Sequence, residues 1–164
     1  MKKILVSACL LGYPVRYNGS GKRITHQILS QWFDEERLVP FCPEMAAGGT
    51  VPRPPAEIVG RDGRAVLDGQ AEVMDKTGQN LTRLFVTAAG MAFEVVKKNQ
   101  IRIAILSDGS PSCGSTFIHD GTFSGATKTG QGVVAAFLSK NGVAVFGESQ
   151  IDAALKYFRA LEHA

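Results

Sequence analysis

The stretch Lys3-Ile-Leu-Val-Ser-Ala8 decides the fold. It is short, β-branched and almost continuously apolar, the pattern of a strand covered on both faces. Three further runs resemble it: Leu38–Phe41 (LVPF), Ile101–Leu106 (IRIAIL) and Val143–Phe146 (VAVF). Elsewhere the apolar period lengthens to that of a helix. Thr25–Glu36 carries Ile28, Leu29 and Trp32. Across Asn80–Lys98, the residues Leu81, Leu84, Phe85, Ala88, Ala92, Val95 and Val96 recur at steps of three and four. Asn80 is placed to cap that helix, and Lys97 and Lys98 suit the negative end of its dipole. Gly132–Lys140 turns Val133, Val134, Phe137 and Leu138 inward, with Gly142 placed to end it. Ser149, with Asp152 three residues on, is placed to open a last helix striped by Ile151, Ala154, Leu155, Phe158 and Leu161. Strands alternating with helices predict the α/β class: one Rossmann-like domain over residues 1–164, its sheet mainly parallel, with helices on both faces.

Between Met45 and Gln79 this pattern breaks, and Gly and Pro punctuate the chain. A long irregular stretch inside a compact domain is usually functional. It is read as a substrate-covering excursion with one hairpin near Gly63. The 164 residues are 45% hydrophobic and 20% charged, which excludes a disordered chain. Such a length buries roughly 70% of its unfolded surface and needs no disulfide. Eighteen basic residues against fifteen acidic give a net charge of +3. The basic residues are scattered, so no nucleic-acid partner is expected, and the balance fits a small polar or anionic substrate. The run Ile4–Leu11 is too short to span a bilayer, so no membrane partner is expected and the expected compartment is the cytoplasm.

Three cysteines cannot all pair within one chain. In a reducing compartment they stay thiols, available for packing, catalysis or metal binding. Cys9 follows the first strand, Cys42 the second, and Cys113 sits in a loop after the third. The carboxyl ends of strands in an open parallel sheet share one edge, where ligands bind. Three cysteines distant in sequence are therefore predicted to converge. Their surroundings suit chemistry. Glu44 places a carboxylate beside Cys42 in Pro40-Phe-Cys-Pro-Glu44. The loop Ser107-Asp-Gly-Ser-Pro-Ser-Cys-Gly-Ser115 can turn N–H groups and hydroxyls toward one point. Thiolates suit zinc and iron–sulfur clusters. A structural zinc needs a fourth ligand, from His26, His119 or Glu44. A cubane held by three cysteines leaves one iron open as a Lewis acid for a soft sulfur. Simple packing is the third alternative, since free cysteines are among the most buried residues. Gly130-Gln-Gly-Val-Val-Ala135 looks like part of a dinucleotide fingerprint away from the first strand. It is read as a turn that starts a helix, whose N–H groups at most hold an anion.

Several blocks together resemble a known family. They are Val6-Ser-Ala-Cys-Leu-Leu-Gly12 with Val15-Arg-Tyr-Asn-Gly19, Cys42-Pro-Glu44 with Gly48-Gly49, Pro52-Arg-Pro-Pro-Ala-Glu57, and Ser110-Pro-Ser-Cys-Gly114 with Asp120-Gly-Thr-Phe123. They resemble the DUF523 family, whose functionally understood branch is the thiouracil desulfurase. Where many members carry a basic pair ahead of Ser-Pro-Ser-Cys, this chain has Ser107-Asp108-Gly109. The resemblance implies a [4Fe–4S] cluster bound by Cys9, Cys42 and Cys113, with an open iron that takes the substrate sulfur. It implies non-redox conversion of 2-thiouracil, or a related thiolated base, to uracil and hydrogen sulfide. Within that expectation Glu44 is the general base toward water. Ser110 orients substrate or hands over a proton, and Arg16, Tyr17, Arg53 and Ser112 line the pocket. The competing expectations are a zinc-binding hydrolase and a metal-free small-molecule-binding module.

Overall fold

The computed structural model describes residues 1–163. The strands, in chain order, are β1 (Ile4–Ser7), β2 (Leu38–Phe41), β3 (Ala56–Val59), β4 (Glu72–Asp75), β5 (Ile103–Leu106), β6 (Phe117–His119), β7 (Thr127–Thr129) and β8 (Ala144–Gly147). The helices are α1 (Gln27–Asp34), α2 (Pro43–Ala46), α3 (Gly63–Leu67), α4 (Thr82–Lys98), α5 (Val133–Lys140) and α6 (Ile151–Glu162). β1, β2, β5 and β8 make one parallel sheet in the order β2-β1-β5-β8, with Ile4 in register with both Leu38 and Ile103.

Side chains alternate across this sheet, and each face has its own core. Leu5, Ala104 and Leu106 pack under α3, α4 and α5, against Val66, Phe85, Ala88 and Val134. Ile4, Val6, Ile103 and Ile105 face α1 and α6, where Trp32 and Phe158 lie 5.4 Å apart between ring centroids. The α/β architecture with helices on both faces is therefore as expected. α4 starts one residue later than expected: Leu81 holds the cap position, and the Asn80 carboxamide oxygen before it accepts from the Thr82 N–H at 2.9 Å.

One other local expectation changes. α6 is not opened by Ser149. A 3-10 turn (Glu148–Gln150) precedes it, and the Gln150 side chain accepts from the Gly147 N–H at 2.9 Å, which ties the turn to the end of β8. The hairpin expected near Gly63 is present. β3 and β4 pair antiparallel, with Ile58 opposite Val73, and their connection folds into α3. The Asp62 carboxylate caps that helix by accepting from the Ala65 N–H at 3.0 Å. Glycine at 63 serves close approach: its bare α-carbon rests on the Gly132 carbonyl, and its N–H donates to Gln131 O at 2.8 Å. A second antiparallel hairpin, β6–β7, is formed by strands too short and polar for periodicity to show.

The first turn of α5 explains Gly130-Gln-Gly132. The first N–H groups of a helix have no partner within it. Here the N–H of Val133 donates to Pro111 O at 2.8 Å, and those of Val134 and Ala135 to Ser112 O at 2.9 and 3.1 Å. The Gly132 N–H donates to Gly114 O at 2.8 Å. These donors hold the loop around Cys113, which leaves none to bind an anion. A β-carbon on Gly132 would lie 2.6 Å from the carbonyl carbon and oxygen of Ser112. Gly132→Ala is therefore expected to lower stability by about 1–3 kcal/mol in urea unfolding, as overpacking does. Gly90→Ala in α4, where nothing lies near the added carbon, is the control and is expected to stabilise by roughly 0.5–1 kcal/mol.

Candidate metal centre and substrate cavity

Each strand end delivers one thiol. β1 runs into a 3-10 turn (Ala8–Leu11) that carries Cys9 half-buried at the edge of the sheet. β2 ends at Phe41, and Cys42 follows at the N-terminus of α2, where Pro43 starts the helix and Glu44 occupies its first turn. Cys113 lies in the loop after β5 and is buried. All three line one cavity of about 320 Å³ at the carboxyl edge of the sheet, the size of a small-molecule site. Glu44, Ser110, Ser112, Arg16, Tyr17 and Arg53 line the same cavity. The convergence read from topology is present.

Burial raises the pKa of each thiol above its ordinary value. It pushes Cys113 up to about 12, with Cys9 and Glu44 adding repulsion against a hydrogen bond from Ser7. Cys9 is also raised by burial, against the opposing pull of the Ser107 hydroxyl and the Lys22 charge. Cys42 is raised by burial, against the Met45 N–H. Cys42 acts on Cys9 and Cys9 on Cys113, so the three thiols share one electrostatic neighbourhood. Coordination to a metal deprotonates a thiol outright. Three soft donors, flanked by the cations Lys22 and Arg16 near Cys9 and Arg53 near Cys42, fit a negatively charged iron–sulfur cluster. Among the described residues no group of three or more His, Cys, Asp or Glu side chains is gathered to hold a single metal ion. Of the candidate fourth ligands of a zinc site, His26 caps α1 through Nδ1, Glu44 is tied by both oxygens, and His119 is held through Nδ1 alone, 2.9 Å from Gly109 O.

Glu44 is held from both sides. Its Oε1 accepts from Arg53 Nε at 3.3 Å, and its Oε2 accepts from Ser112 Oγ at 2.7 Å. Ser112 Oγ lies 2.9 Å from Ser110 Oγ, which accepts from the backbone N–H groups of Ser112 and Cys113, both at 3.1 Å. A hydroxyl has two lone pairs and one hydrogen. Ser110 uses both lone pairs on those N–H groups, so its hydrogen goes to Ser112, and the Ser112 hydrogen goes to Glu44. Ser112 is fully buried at the cavity wall, and its hydroxyl acts on the Glu44 carboxylate. Arg53 has a similar double duty. Its guanidinium also donates to Val15 O and Thr50 O, both at 3.0 Å, and so ties the excursion after α2 to the loop after β1.

Three cavity residues, Lys22, Glu57 and Phe123, are given no role by the sequence, and a fourth, His119, enters there only as a candidate zinc ligand. Lys22 donates to Ser107 Oγ and Asp108 O, both at 3.1 Å, and to Glu148 Oε1 at 2.8 Å. Its flanks have no periodicity or motif to single it out. Glu57, His119 and Phe123 reach the cavity from the two hairpins. The family blocks contain Glu57 and Phe123, and that membership was the only available signal.

A parallel α/β sheet whose strand ends bring three thiols and a clamped carboxylate to one small cavity defines the class: a fold built to hold a cofactor against a small substrate. The family model described as 2-thiouracil desulfurase matches residues 4–150, and the chain belongs to that family. A relative from Bacillus subtilis (strain 168), the uncharacterized protein YbbK, is 41% identical over 149 residues, covering 91% of this chain and 97% of that protein. A solved structure of the [4Fe-4S]-dependent thiouracil desulfidase TudS is similar with a TM-score of 0.88 and 39% identity, covering 98% of this chain and 99% of that chain.

Thiolate, and not thiol, is the nucleophile toward alkylating agents. The raised pKa of Cys113 therefore has a consequence for cluster-free protein at mildly alkaline pH. Iodoacetamide followed by peptide mass mapping is expected to modify Cys9 and Cys42 first and Cys113 last. Rapid early labelling of Cys113 would contradict its burial.

Proposed function

We propose that the protein is an iron–sulfur-dependent desulfurase that converts 2-thiouracil, or a related thiolated base, and water to uracil and hydrogen sulfide. The single observation that carries this reading is the meeting of Cys9, Cys42 and Cys113 with Glu44 in one cavity, in a member of the 2-thiouracil desulfurase family. The three cysteines are the residues that would hold a [4Fe–4S] cluster. Bound there, such a cluster supplies a Lewis acid, through the iron that lacks a protein ligand, for a soft thiocarbonyl sulfur.

The chain's own residues do the rest. Glu44 takes a proton from the water that adds to C2 of the ring, a general-base role that requires a carboxylate held within reach of the reacting centre. Arg53 and Ser112 fix that carboxylate from opposite sides. Ser110 sets the Ser112 hydroxyl and, through the N–H groups it accepts, the peptide that carries Cys113. Sulfur departs from C2 with the proton that Glu44 holds, as hydrosulfide; the second water proton leaves the C2 oxygen as the carbonyl forms, and the products are uracil and hydrogen sulfide. No electron is gained or lost, so no redox partner is needed. Most of the cavity wall comes from chain segments outside the parallel sheet.

Protein purified and reconstituted without oxygen is expected to carry about four iron and four sulfide per chain. It is expected to release sulfide from 2-thiouracil. Glu44→Gln keeps a side chain of the same shape and an acceptor for Ser112, but not the base. It is expected to retain the iron while kcat falls about 10²–10⁴-fold. Full activity in Glu44→Gln, or colourless protein after reconstitution, would overturn the reading.

A further inference from the structure

The β6–β7 hairpin closes one side of the cavity with His119, at the end of β6, and Phe123, in the turn before β7. Three non-glycine residues in the described chain have positive φ: Glu36 (59°), Gln100 (54°) and Phe123 (56°). The first two simply follow helices. Arg37 N–H donates to Trp32 O and Ile101 N–H to Val96 O, each at 2.9 Å, the bonds that close a helix C-terminus with a left-handed residue. Phe123 ends no helix. A bulky aromatic residue adopts this conformation only when its surroundings impose it. Here they do. The buried carboxylate of Glu57, on β3, accepts from the Gly121 N–H at 2.9 Å and from the Phe123 N–H at 3.2 Å. Gly121 lies so close to β3 that a β-carbon there would come 2.5 Å from Ile58 O. A carboxylate buried in the neighbouring hairpin thus sets the direction of one aromatic ring at the cavity wall.

His119 is fixed just as firmly, and its tautomer follows from its partner. Nδ1 lies 2.9 Å from Gly109 O. A carbonyl oxygen only accepts, so Nδ1 carries the hydrogen. In the neutral ring Nε2 is then an acceptor, and it has no hydrogen-bond partner among the described residues. An apolar ring face beside one unpartnered acceptor matches the chemistry of a planar heterocycle whose thiocarbonyl carbon is flanked by N–H groups.

We propose that the β6–β7 hairpin is the recognition wall for the base: Phe123 packs on the face of the ring, and His119 Nε2 accepts one of the two N–H groups beside C2. Glu57 is the positioning residue for Phe123. This inference rests on the functional reading above, since it concerns the same cavity. It adds the substrate class: a planar ring with a free N–H next to the reacting carbon.

Uracil, which lacks the sulfur, tests recognition without turnover. Calorimetry on the reconstituted protein compares uracil, 1-methyluracil and 3-methyluracil, each isomer blocking one of the two N–H groups. The wild-type protein is expected to bind one isomer at least about tenfold more weakly than the other, the worth of a lost hydrogen bond in a closed site. His119→Asn keeps a donor for Gly109 O but removes the Nε2 acceptor. It is expected to weaken uracil about tenfold and to bring the two isomers within about twofold of each other. His119→Gln, which restores an acceptor, is expected to recover part of the discrimination. Phe123→Leu is expected to weaken uracil and both isomers alike, and Phe123→Tyr to leave them near wild type. Iron content and circular dichroism of each variant separate recognition from misfolding. Unchanged binding and unchanged isomer preference in folded His119→Asn and Phe123→Leu would overturn the proposal, as would wild-type protein that binds no uracil. If uracil binds as expected but 2-thiouracil releases no sulfide, the desulfurase reading fails and the recognition wall stands.

Discussion

The N–H groups at the start of α5 point at the carbonyls of Pro111, Ser112 and Gly114, and the position of the third thiol depends on them. A loop of Ser, Pro and Gly has little intrinsic preference for one shape. Here its carbonyls are taken by α5 and two of its N–H groups by the Ser110 hydroxyl. Each such bond contributes only about 0.5–1.5 kcal/mol net, but leaving a buried one unmade costs more. With donors and acceptors matched on both sides, the peptide around Cys113 has no alternative pairing to relax into. Gly132 permits the approach because it brings no side chain between α5 and the loop.

Charge is distributed with the same economy. The cavity gathers three thiols and Glu44, and it places Lys22, Arg16 and Arg53 around them. Two of these cations, Lys22 and Arg53, are also bonded to other loops. Lys22 bridges the loop after β1 to the loop after β5 and to Glu148 beyond β8. Asp108, buried beside it, accepts from the N–H groups of Ser115 and Thr116 at 3.0 and 2.9 Å and so bends the chain toward β6. Residues that neutralise the site therefore also join the strand ends that build it. Removing one would disturb geometry as well as potential, and the two effects separate only in variants that preserve the hydrogen bonds.

The sheet was legible because Ile4–Ser7, Leu38–Phe41 and Ile103–Leu106 are buried or half-buried strands whose apolar runs have no helical period. The meeting of Cys9, Cys42 and Cys113 then followed from parallel topology alone. What stayed hidden has a common cause. Lys22, Glu57 and Asp108 look like solvated surface charges, because a sequence does not show that their partners lie on other loops. The β6–β7 hairpin has only three residues per strand, several of them polar, so no alternation was long enough to register. Gly63 and Gly132 looked like turn residues, yet their role is to let two backbones touch.

Three thiols carried on separate strand ends also impose an order on biosynthesis. A ribosome releases Cys9 and Cys42 early, but a centre that needs all three sulfurs has no complete cradle until the segment around residue 113 has emerged. Even then that segment is not fixed until α5, which follows it, has formed. A centre held this way gains its full set of ligands only when the last of these segments is in place.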